Sequence, residues 1–222
     1  MNLSTLVVAI DGPAGSGKSS TSKGVAQEMG LRYLDTGALY RAMTWWMLKQ
    51  GIDVEDADAV AARCHEPVIE PTTDPQAFRV SVDGLDVSHA IRTSEVAESV
   101  SAVSRVPQVR ERLVALQREL IGTGGVVVEG RDIGTVVAPA ADLKIFLTAV
   151  PEARAQRRAG DLGRGADQLQ ATQEAMVRRD LMDSTRAVSP LAKAEDAIEL
   201  DTSLMTLPEV IAAVADLLRS AT

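Results

Sequence analysis

A glycine-rich octapeptide near the start of the chain limits its possible folds more than any other feature. Residues 12–19 read GPAGSGKS, in which two glycines five positions apart precede a lysine and a hydroxyl residue, the pattern of a phosphate-binding loop. Residues 6–10 form an unbroken apolar run typical of a buried strand, and Thr21, Val25 and Met29 then recur at helical spacing until Gly30. A strand, a glycine loop and a helix follow one another in the order that this motif requires.

The residue types of this loop suit the binding of a nucleoside triphosphate. Glycines allow several backbone N–H groups to point into one concavity, where they and the positive end of the next helix bind phosphate oxygens. Lys18 would reach the β- and γ-phosphates, and the Ser19 hydroxyl would ligate Mg²⁺. A chance glycine-rich turn is the alternative, and the flanking strand and helix argue against it. The residues predicted to hold the nucleotide are Gly12, Pro13, Ala14, Gly15, Ser16, Gly17, Lys18, Ser19 and Ser20.

Further strand and helix patterns alternate along the chain. Short apolar runs at residues 32–34, 126–129, 143–147 and 197–200 predict buried strands. Between them lie helical stripes, one through Leu39, Met43 and Met47, one after Pro107, and a last one over residues 207–218. This alternation predicts a parallel sheet covered on both faces, with ligands at the carboxyl ends of its strands.

An acidic segment interrupts this alternation. Residues 51–104 hold 11 of the 31 carboxylates but only three arginines, so they account for the whole net charge of −8. Phe78, Val80 and Val82 alternate with polar residues before the turn dipeptide Asp83-Gly84. We therefore expect a small antiparallel hairpin inserted into the α/β domain.

Composition excludes several classes of protein. No basic surface is evident before residue 150, which argues against nucleic-acid binding, and no apolar run approaches the 18 residues of a membrane span. Cys64 is the only cysteine, so an intramolecular disulfide is impossible, and Asn2 is the only asparagine, which rules out the guanine-reading Asn-Lys-x-Asp signature of regulatory GTPases. A soluble cytoplasmic protein, monomeric by default, is the expectation.

Two charged clusters accompany the phosphate loop. The predicted strand at residues 126–129 ends in Glu129 and is followed by Arg131 and Asp132, which would face the ligand crevice; a polar loop with a local ion pair is the alternative. Residues 154–186 hold seven arginines and no lysine, a choice that suits a planar grip on phosphate. Within them Arg179, Asp183 and Arg186 have helical spacing, so they would share one face, unless they form a surface salt-bridge ladder. Other faces of the same helix would pack through Leu169, Met176 and Leu181.

These features together predict phosphoryl transfer to a small acceptor. Such a reaction must bring two polyanions together and spread the transition-state charge over fixed cations. Lys18, Mg²⁺ and arginines on a flap hinged at residues 160–165 would meet that need. A kinase for a small hydroxyl compound and a catalytically silent nucleotide-binding module remain as alternatives.

The chain resembles the bacterial cytidylate kinases of the nucleoside monophosphate kinase family over essentially its full length. The matching motifs are residues 10–19 (IDGPAGSGKS), 34–41 (LDTGALYR), 91–93 (IRT), 130–135 (GRDIGT), 144–147 (KIFL) and 186–191 (RAVSPL). The resemblance implies an α/β P-loop kinase fold of three layers, with a five-stranded parallel sheet flanked by helices, an inserted small antiparallel subdomain that binds the nucleoside monophosphate (NMP), and a short lid. It implies one domain, with a core at about 1–35, 106–150 and 187–222, an NMP-binding region at about 36–105, and a lid at about 151–186.

The resemblance also implies the activity, which is transfer of the γ-phosphoryl group of ATP to CMP or dCMP in pyrimidine nucleotide metabolism, with Mg²⁺. Lys18, Arg131 and Arg179 would be the catalytic residues. Ser101, Arg110 and Asp132 would read cytosine, and Asp183 would hold the ribose beside Arg186. The full acceptor site is then Thr36, Tyr40, Arg41, Ser101, Arg110, Arg131, Asp132, Arg179, Asp183 and Arg186.

The chain departs from the family pattern in two places. Met182 and Ser184 occupy a stretch where many relatives carry another arginine, which leaves Arg154, Arg157, Arg158 and Arg164 as candidate lid cations. Glu129 stands where an aspartate is common, and a direct or a water-mediated role at Mg²⁺ is open for it.

Overall fold

The computed structural model describes residues 3–161 and 168–221. Its longer elements are strands and helices that follow one another in runs of one to three. They are, in order, β1 (Val7–Asp11), α1 (Lys18–Met29), β2 (Arg32–Asp35), α2 (Thr36–Lys49), α3 (Ala57–Arg63), β3 (Ile69–Pro71), β4 (Val80–Val82), β5 (Leu85–Asp86), α4 (Ser94–Ser104), α5 (Pro107–Ile121), β6 (Val126–Gly130), β7 (Leu143–Thr148), α6 (Pro151–Asp161), α7 (Leu169–Thr185), β8 (Ile198–Asp201) and α8 (Leu207–Ala221). Single-turn 3₁₀ helices lie at Leu3–Thr5 and Ala90–Arg92, and a π-helical turn lies at Ile133–Val137.

Five parallel strands form the central sheet in the order β2-β6-β1-β7-β8. The five strands expected from apolar runs are all present, and each bound differs by at most one residue. Strand β1 lies in the middle, where Val8 pairs with Val127 on one side and with Leu143 on the other. Because the strands are parallel, their carboxyl ends meet at one edge of the sheet, and the glycine loop leaves the sheet there.

Helices cover both faces of this sheet, as predicted for a three-layer α/β fold. On one face Val25 of α1 and Val214 of α8 pack in a core with Ile10 and Ile145. On the other face Val114 of α5 packs with strand residues that include Leu34, Val126 and Val128. Alternate residues of one strand enter opposite cores, which explains why the strands read as continuous apolar runs.

The acidic segment forms a separate small sheet, as expected. Strands β4 and β5 make the predicted hairpin, and both turn residues have positive φ, 51° at Asp83 and 78° at Gly84. The short strand β3 adds a third antiparallel strand that the alternation pattern did not reveal. Val80, Val82 and Ile69 of this sheet pack against α2, so the insertion shares a core with the helix that follows β2.

Helix α7 corrects two expectations about the arginine-rich segment. The helix ends at Thr185, and Arg186 is extended at φ −64° and ψ 143°, so Arg186 does not continue the helical face of Arg179 and Asp183. Leu181, which was expected to pack, is 63% exposed, whereas Met176 is buried as expected. The predicted hinge at residues 160–165 lies mostly outside the described residues, and so does Arg164.

Within residues 3–161 and 168–221, none of the helices combines the length and the apolar composition that a membrane span requires.

Candidate active site

The glycine loop wraps around the first residue of α1. Gly12 and Gly15 have φ of 147° and 71°, and a Cβ on Gly12 would lie 2.2 Å from the carbonyl oxygen of Leu147. Only glycine fits there. Lys18 is buried, and its Nζ donates to the Pro13 carbonyl at 2.6 Å and to Ser16 Oγ at 3.4 Å. The loop thus encloses an ammonium group at the positive end of a helix of 12 residues.

Lys18 is an unfavourable cation in the ligand-free protein. Burial lowers the pKa of Lys18 well below its usual value, and the positive charge of Arg131 lowers it further. The charges of Glu129 and Asp11 oppose this shift, but both acceptors of the ammonium hydrogen bonds above are uncharged. A bound phosphate would supply the missing negative charge.

Glu129 faces Ser19 across the end of the sheet. Ser19 Oγ donates to Glu129 Oε2 at 2.9 Å, and the buried Tyr33 hydroxyl donates to Glu129 Oε1. Burial and the neighbouring Asp35 raise the pKa of Glu129. A hydroxyl and a carboxylate are hard oxygen ligands of the kind Mg²⁺ prefers. The described residues contain no group of three or more His, Cys, Asp or Glu side chains that could hold a metal ion. Ser19 and Glu129 would suit a Mg²⁺ ion that arrives with phosphate.

Arginines from three elements meet beside the lysine. Arg41 of α2 donates to Asp35 at 2.8 Å, and Arg131, which follows β6, donates through Nε to Asp183 of α7 at 3.1 Å. Burial lowers the pKa of Arg179 to about 10, and the charge of Arg131 adds to this effect. The Nε atoms of Arg41 and Arg179 are buried without a hydrogen-bond partner within the described part of the chain. Half-buried, mutually repelling cations with unused donors would suit a multiply charged anion.

A second group of side chains lies next to this arginine cluster. Asp132 accepts from Arg110, and Arg186 Nη2 lies 3.6 Å from Asp132 Oδ1. The guanidinium of Arg110 stands 5.2 Å from the ring centre of Tyr40. Arg110 and Asp132 are both less than 5% exposed. The ion pair predicted as the alternative, between Arg131 and its neighbour Asp132, does not form, because each pairs with a distant residue.

The remaining predicted acceptor residues lie around these two groups. The Thr36 hydroxyl donates to the Glu129 carbonyl at 2.7 Å and so fixes the start of α2 to the end of β6. Ser101 lies buried on α4, where its carbonyl oxygen accepts a hydrogen bond from the Ser104 hydroxyl. Arg110 Nη1 in turn donates to the Ser104 carbonyl oxygen at 3.4 Å. Asp183 is buried, with Arg186 Nη1 3.9 Å away. Burial excludes a surface salt-bridge ladder for this part of α7.

Helices α6 and α7, which lie in the segment predicted to act as a lid, contact the glycine loop directly. Asp180 Oδ1 accepts from the Ala14 N–H at 3.0 Å, and Arg154, paired with Asp180, donates to the Ala14 carbonyl at 3.0 Å. Arg157 points elsewhere and donates to Thr202. The positive charge of Arg158 lowers the pKa of Arg179. Arg154 and Arg158 are therefore the candidate lid cations near the site in the described residues.

Sequence reasoning missed three carboxylates and a phenol of this region. Asp11 ends β1 and accepts from the N–H groups of Ile133 and Gly134 at 2.9 and 2.8 Å, and burial raises its pKa to about 6. Asp35 ends β2 and accepts from Arg41. Both lie at carboxyl ends of strands, where the rule that singled out Glu129 would have found them. Tyr33 and Asp180 gave no local signal.

Comparisons with known proteins identify the family of this chain. A family model described as cytidylate kinase matches residues 8–220. The cytidylate kinase of Streptomyces griseus is 59% identical over 96% of this chain and 93% of its own length, and that of Mycobacterium leprae is 53% identical over 98% and 97%. An uncharacterized protein from Eubacterium ventriosum, 12% identical, shares the fold with a TM-score of 0.53 over 97% of this chain and 99% of its own.

The family match spans nearly the whole chain, and both relatives are aligned over almost their full length. This protein therefore belongs to the cytidylate kinase family.

Proposed function

We propose that this protein transfers the γ-phosphoryl group of ATP to CMP and dCMP, giving ADP and the corresponding diphosphate. The observation that carries the proposal is the position of two cationic groups on neighbouring strands. Lys18 follows β1, and Arg131 with Asp132 follows β6, which pairs with β1. A triphosphate in the glycine loop and an acceptor beside Arg131 would therefore meet end to end.

Binding of ATP is assigned to the loop from Gly12 to Ser20. Backbone N–H groups and Lys18 neutralise the triphosphate, and Ser19 and Glu129 hold Mg²⁺ directly or through water. A Mg²⁺ ion held by these residues would supply positive charge to offset that of the phosphates. A phosphate in place of its neutral partners would raise the pKa of Lys18 back towards its usual value.

Phosphoryl transfer needs fixed cations around the transferring group. Arg131 and Arg179 are assigned this role, together with Arg41 on the acceptor phosphate. One arginine of the proposed lid, Arg154 or Arg158, would add a further positive charge beside the transferring phosphoryl group. The acceptor is a phosphate with a second pKa of about 6, so it is mostly dianionic at neutral pH and no general base is needed.

Base choice is assigned to Asp132, Arg110 and Ser101. Cytosine carries a donor at N4 and acceptors at O2 and N3, which match a carboxylate and a guanidinium. Uracil reverses the polarity at N3 and at position 4, so the same pair would repel it. Asp183 takes the ribose, with Arg186 beside it, and Thr36 and Tyr40 shape the pocket.

A division of labour along the chain follows from these assignments. In this proposal the core consists of residues at about 1–35, 106–150 and 187–222. The acceptor is enclosed by residues at about 36–105, and the lid consists of residues at about 151–186. The substrates are small nucleotides, and we extend the proposal to a cytoplasmic monomer that binds neither nucleic acid nor membrane. The net charge of −8 is consistent with the absence of a nucleic-acid partner.

One assay separates this function from its rivals. Release of ADP from ATP would be followed with CMP, dCMP, UMP, AMP and, as a hydroxyl acceptor with the same base, cytidine. We expect turnover with CMP and dCMP, a kcat/KM at least about 10-fold lower with UMP and AMP, and none with cytidine. Preference for another acceptor would reassign the substrate, and nucleotide binding without turnover would indicate a silent binding module.

A further inference from the structure

A buried tyrosine connects the metal-binding end of the site to the inserted region. Tyr33 of β2 is 1% exposed. Its hydroxyl donates to one oxygen of Glu129, and Ser19 Oγ donates to the other at 2.9 Å. The Tyr33 hydroxyl bonds to Glu129, so we argue its effect on the nucleotide through Glu129.

Two hydrogen bonds from neutral hydroxyls, and no ion pair among the described residues, fix the Glu129 carboxylate. The positive charge of Lys18 attracts Glu129, and the negative charge of Asp35 repels it. A glutamate side chain has more rotatable bonds than an aspartate and can swing away from Ser19 unless its second oxygen is fixed. The Tyr33 hydroxyl fixes that oxygen from the neighbouring strand, at a register where Asp35 pairs with Glu129.

The ring of Tyr33 is itself held from several sides. Phe78 of the inserted region packs edge-on with ring centres 5.4 Å apart, and Lys23 Nζ of α1 lies 5.6 Å from the ring centre. The Tyr33 N–H donates to the carbonyl of Thr73 at 2.8 Å. A strand, a helix and the inserted region thus all contact Tyr33.

We propose that Tyr33 is a positioning residue that holds Glu129 against Ser19, so that the pair is ready to bind the divalent cation of the bound nucleotide. The inference rests on the proposed use of a metal–nucleotide donor. It assigns to Tyr33 a part in metal affinity, and no direct contact with either substrate. Partners that orient a metal ligand in this way typically change metal affinity 10- to 100-fold.

The test measures metal binding without turnover. Mn²⁺ would be titrated into protein saturated with ADP, and free Mn²⁺ followed by electron paramagnetic resonance, for the wild type, Tyr33→Phe, Glu129→Gln and the double variant. We expect Tyr33→Phe to weaken Mn²⁺ binding by about 10-fold. In the Glu129→Gln background the same change should have little further effect, because the group through which Tyr33 acts is gone. Unchanged binding in Tyr33→Phe, or losses that multiply in the double variant, would overturn the inference.

Two further variants separate orientation from packing. Phe78→Leu removes the ring contact and keeps the hydroxyl, so it should bind Mn²⁺ within about 2-fold of the wild type; a 10-fold loss there would assign the effect to packing and refute the role of the hydroxyl. If Glu129→Gln does not fold, as judged by circular dichroism, Glu129→Asp serves instead, since its shorter side chain withdraws from Tyr33.

Mn²⁺ binding with ADP needs no acceptor. Failure of CMP phosphorylation would therefore leave this result standing, and failure of this test would leave the CMP assay intact.

Discussion

Lys18 has hydrogen-bond partners without charge, and this makes it the single side chain on which donor binding depends most. Its pKa is lowered well below the usual value by burial and by Arg131, which means that the charged form of Lys18 is destabilised in this pocket. The negative charge of a bound phosphate would stabilise that charged form. The same reasoning does not apply to Arg41 or Arg131, because each already pairs with an aspartate.

Replacing Lys18 with alanine should therefore lower turnover by roughly 10² to 10³, by analogy with the loss of one preorganised donor to a developing charge. Steady-state kinetics with ATP and CMP measure the effect. Lys49→Ala is a suitable control, because Lys49 is exposed at the far end of α2. Near-normal activity in Lys18→Ala would contradict the mechanism.

Asp132→Ala should reduce the preference for CMP over UMP by about 10-fold or more, because it removes the acceptor assigned to the N4 amino group. The ratio of kcat/KM for the two nucleotides is the measurement. Glu111→Gln changes an exposed carboxylate on the helix that carries Arg110 and should leave the ratio unaltered. An unchanged ratio in Asp132→Ala would remove this residue from base recognition.

Candidate site residues could be chosen from the sequence where a short motif contained them, as for Lys18 and Ser19. Which charged side chains pair with each other could not be predicted. Arg131 and Asp132 are neighbours in sequence, yet they pair with Asp183 and Arg110, which lie 52 and 22 residues away. Tyr33 and Asp180 stayed hidden for the same reason, since their partners Glu129 and Ala14 come from distant segments.

At the scale of elements, strands and long helices followed from apolar periodicity, and the irregular pieces did not. The π-helical turn Ile133–Val137 begins directly after Asp132 and takes its first N–H groups to Asp11. Such turns are rare and often lie at functional sites, and no periodicity marks them. Strand β3 has three residues, one of them proline, so it is too short to show alternation.

The contact between the lid helices and the glycine loop can be tested at Gly15. A Cβ there would lie 2.6 Å from Cε of Met176 and 2.7 Å from the carbonyl oxygen of Arg154, at φ 71°. Gly15→Ala should therefore separate the lid from the loop and weaken ATP binding by more than about 10-fold, measured by calorimetry. Gly30→Ala has a similar φ of 65° with no atom within 4 Å, so it should cost only about 1 kcal/mol of stability. Equal ATP affinities in the two variants would argue against the contact.

At the scale of the whole molecule, the five-stranded α/β architecture was predicted and is confirmed, because alternation of strands and helices leaves few arrangements. The hydrogen bonds that connect the segments at the carboxyl ends of the strands could not be predicted. Asp11 joins β1 to the segment after β6, so the loops that carry Lys18 and Asp132 are held in one frame.

Asp11 should also make the stability of the fold depend on pH. Its pKa is about 6 in the folded protein and 3.8 as a model value, so the folded state retains this proton to higher pH than the unfolded chain. Its contribution is present below about pH 4 and is lost as pH rises through 6, by about 3 kcal/mol. Urea unfolding at pH 4.5 to 7.5 should show the stability of the wild type falling relative to Asp11→Asn over that interval. A constant difference would contradict the assignment.

The central position of β1 has a consequence for the order of events during synthesis. Val7–Asp11 leaves the ribosome before its two neighbours in the sheet, which begin at Val126 and Leu143. At translation rates of about 5 to 20 residues per second, the nascent strand waits on the order of ten seconds for its partners. The strand that leads into the proposed nucleotide-binding loop is thus made well before the two strands that fix it in the sheet.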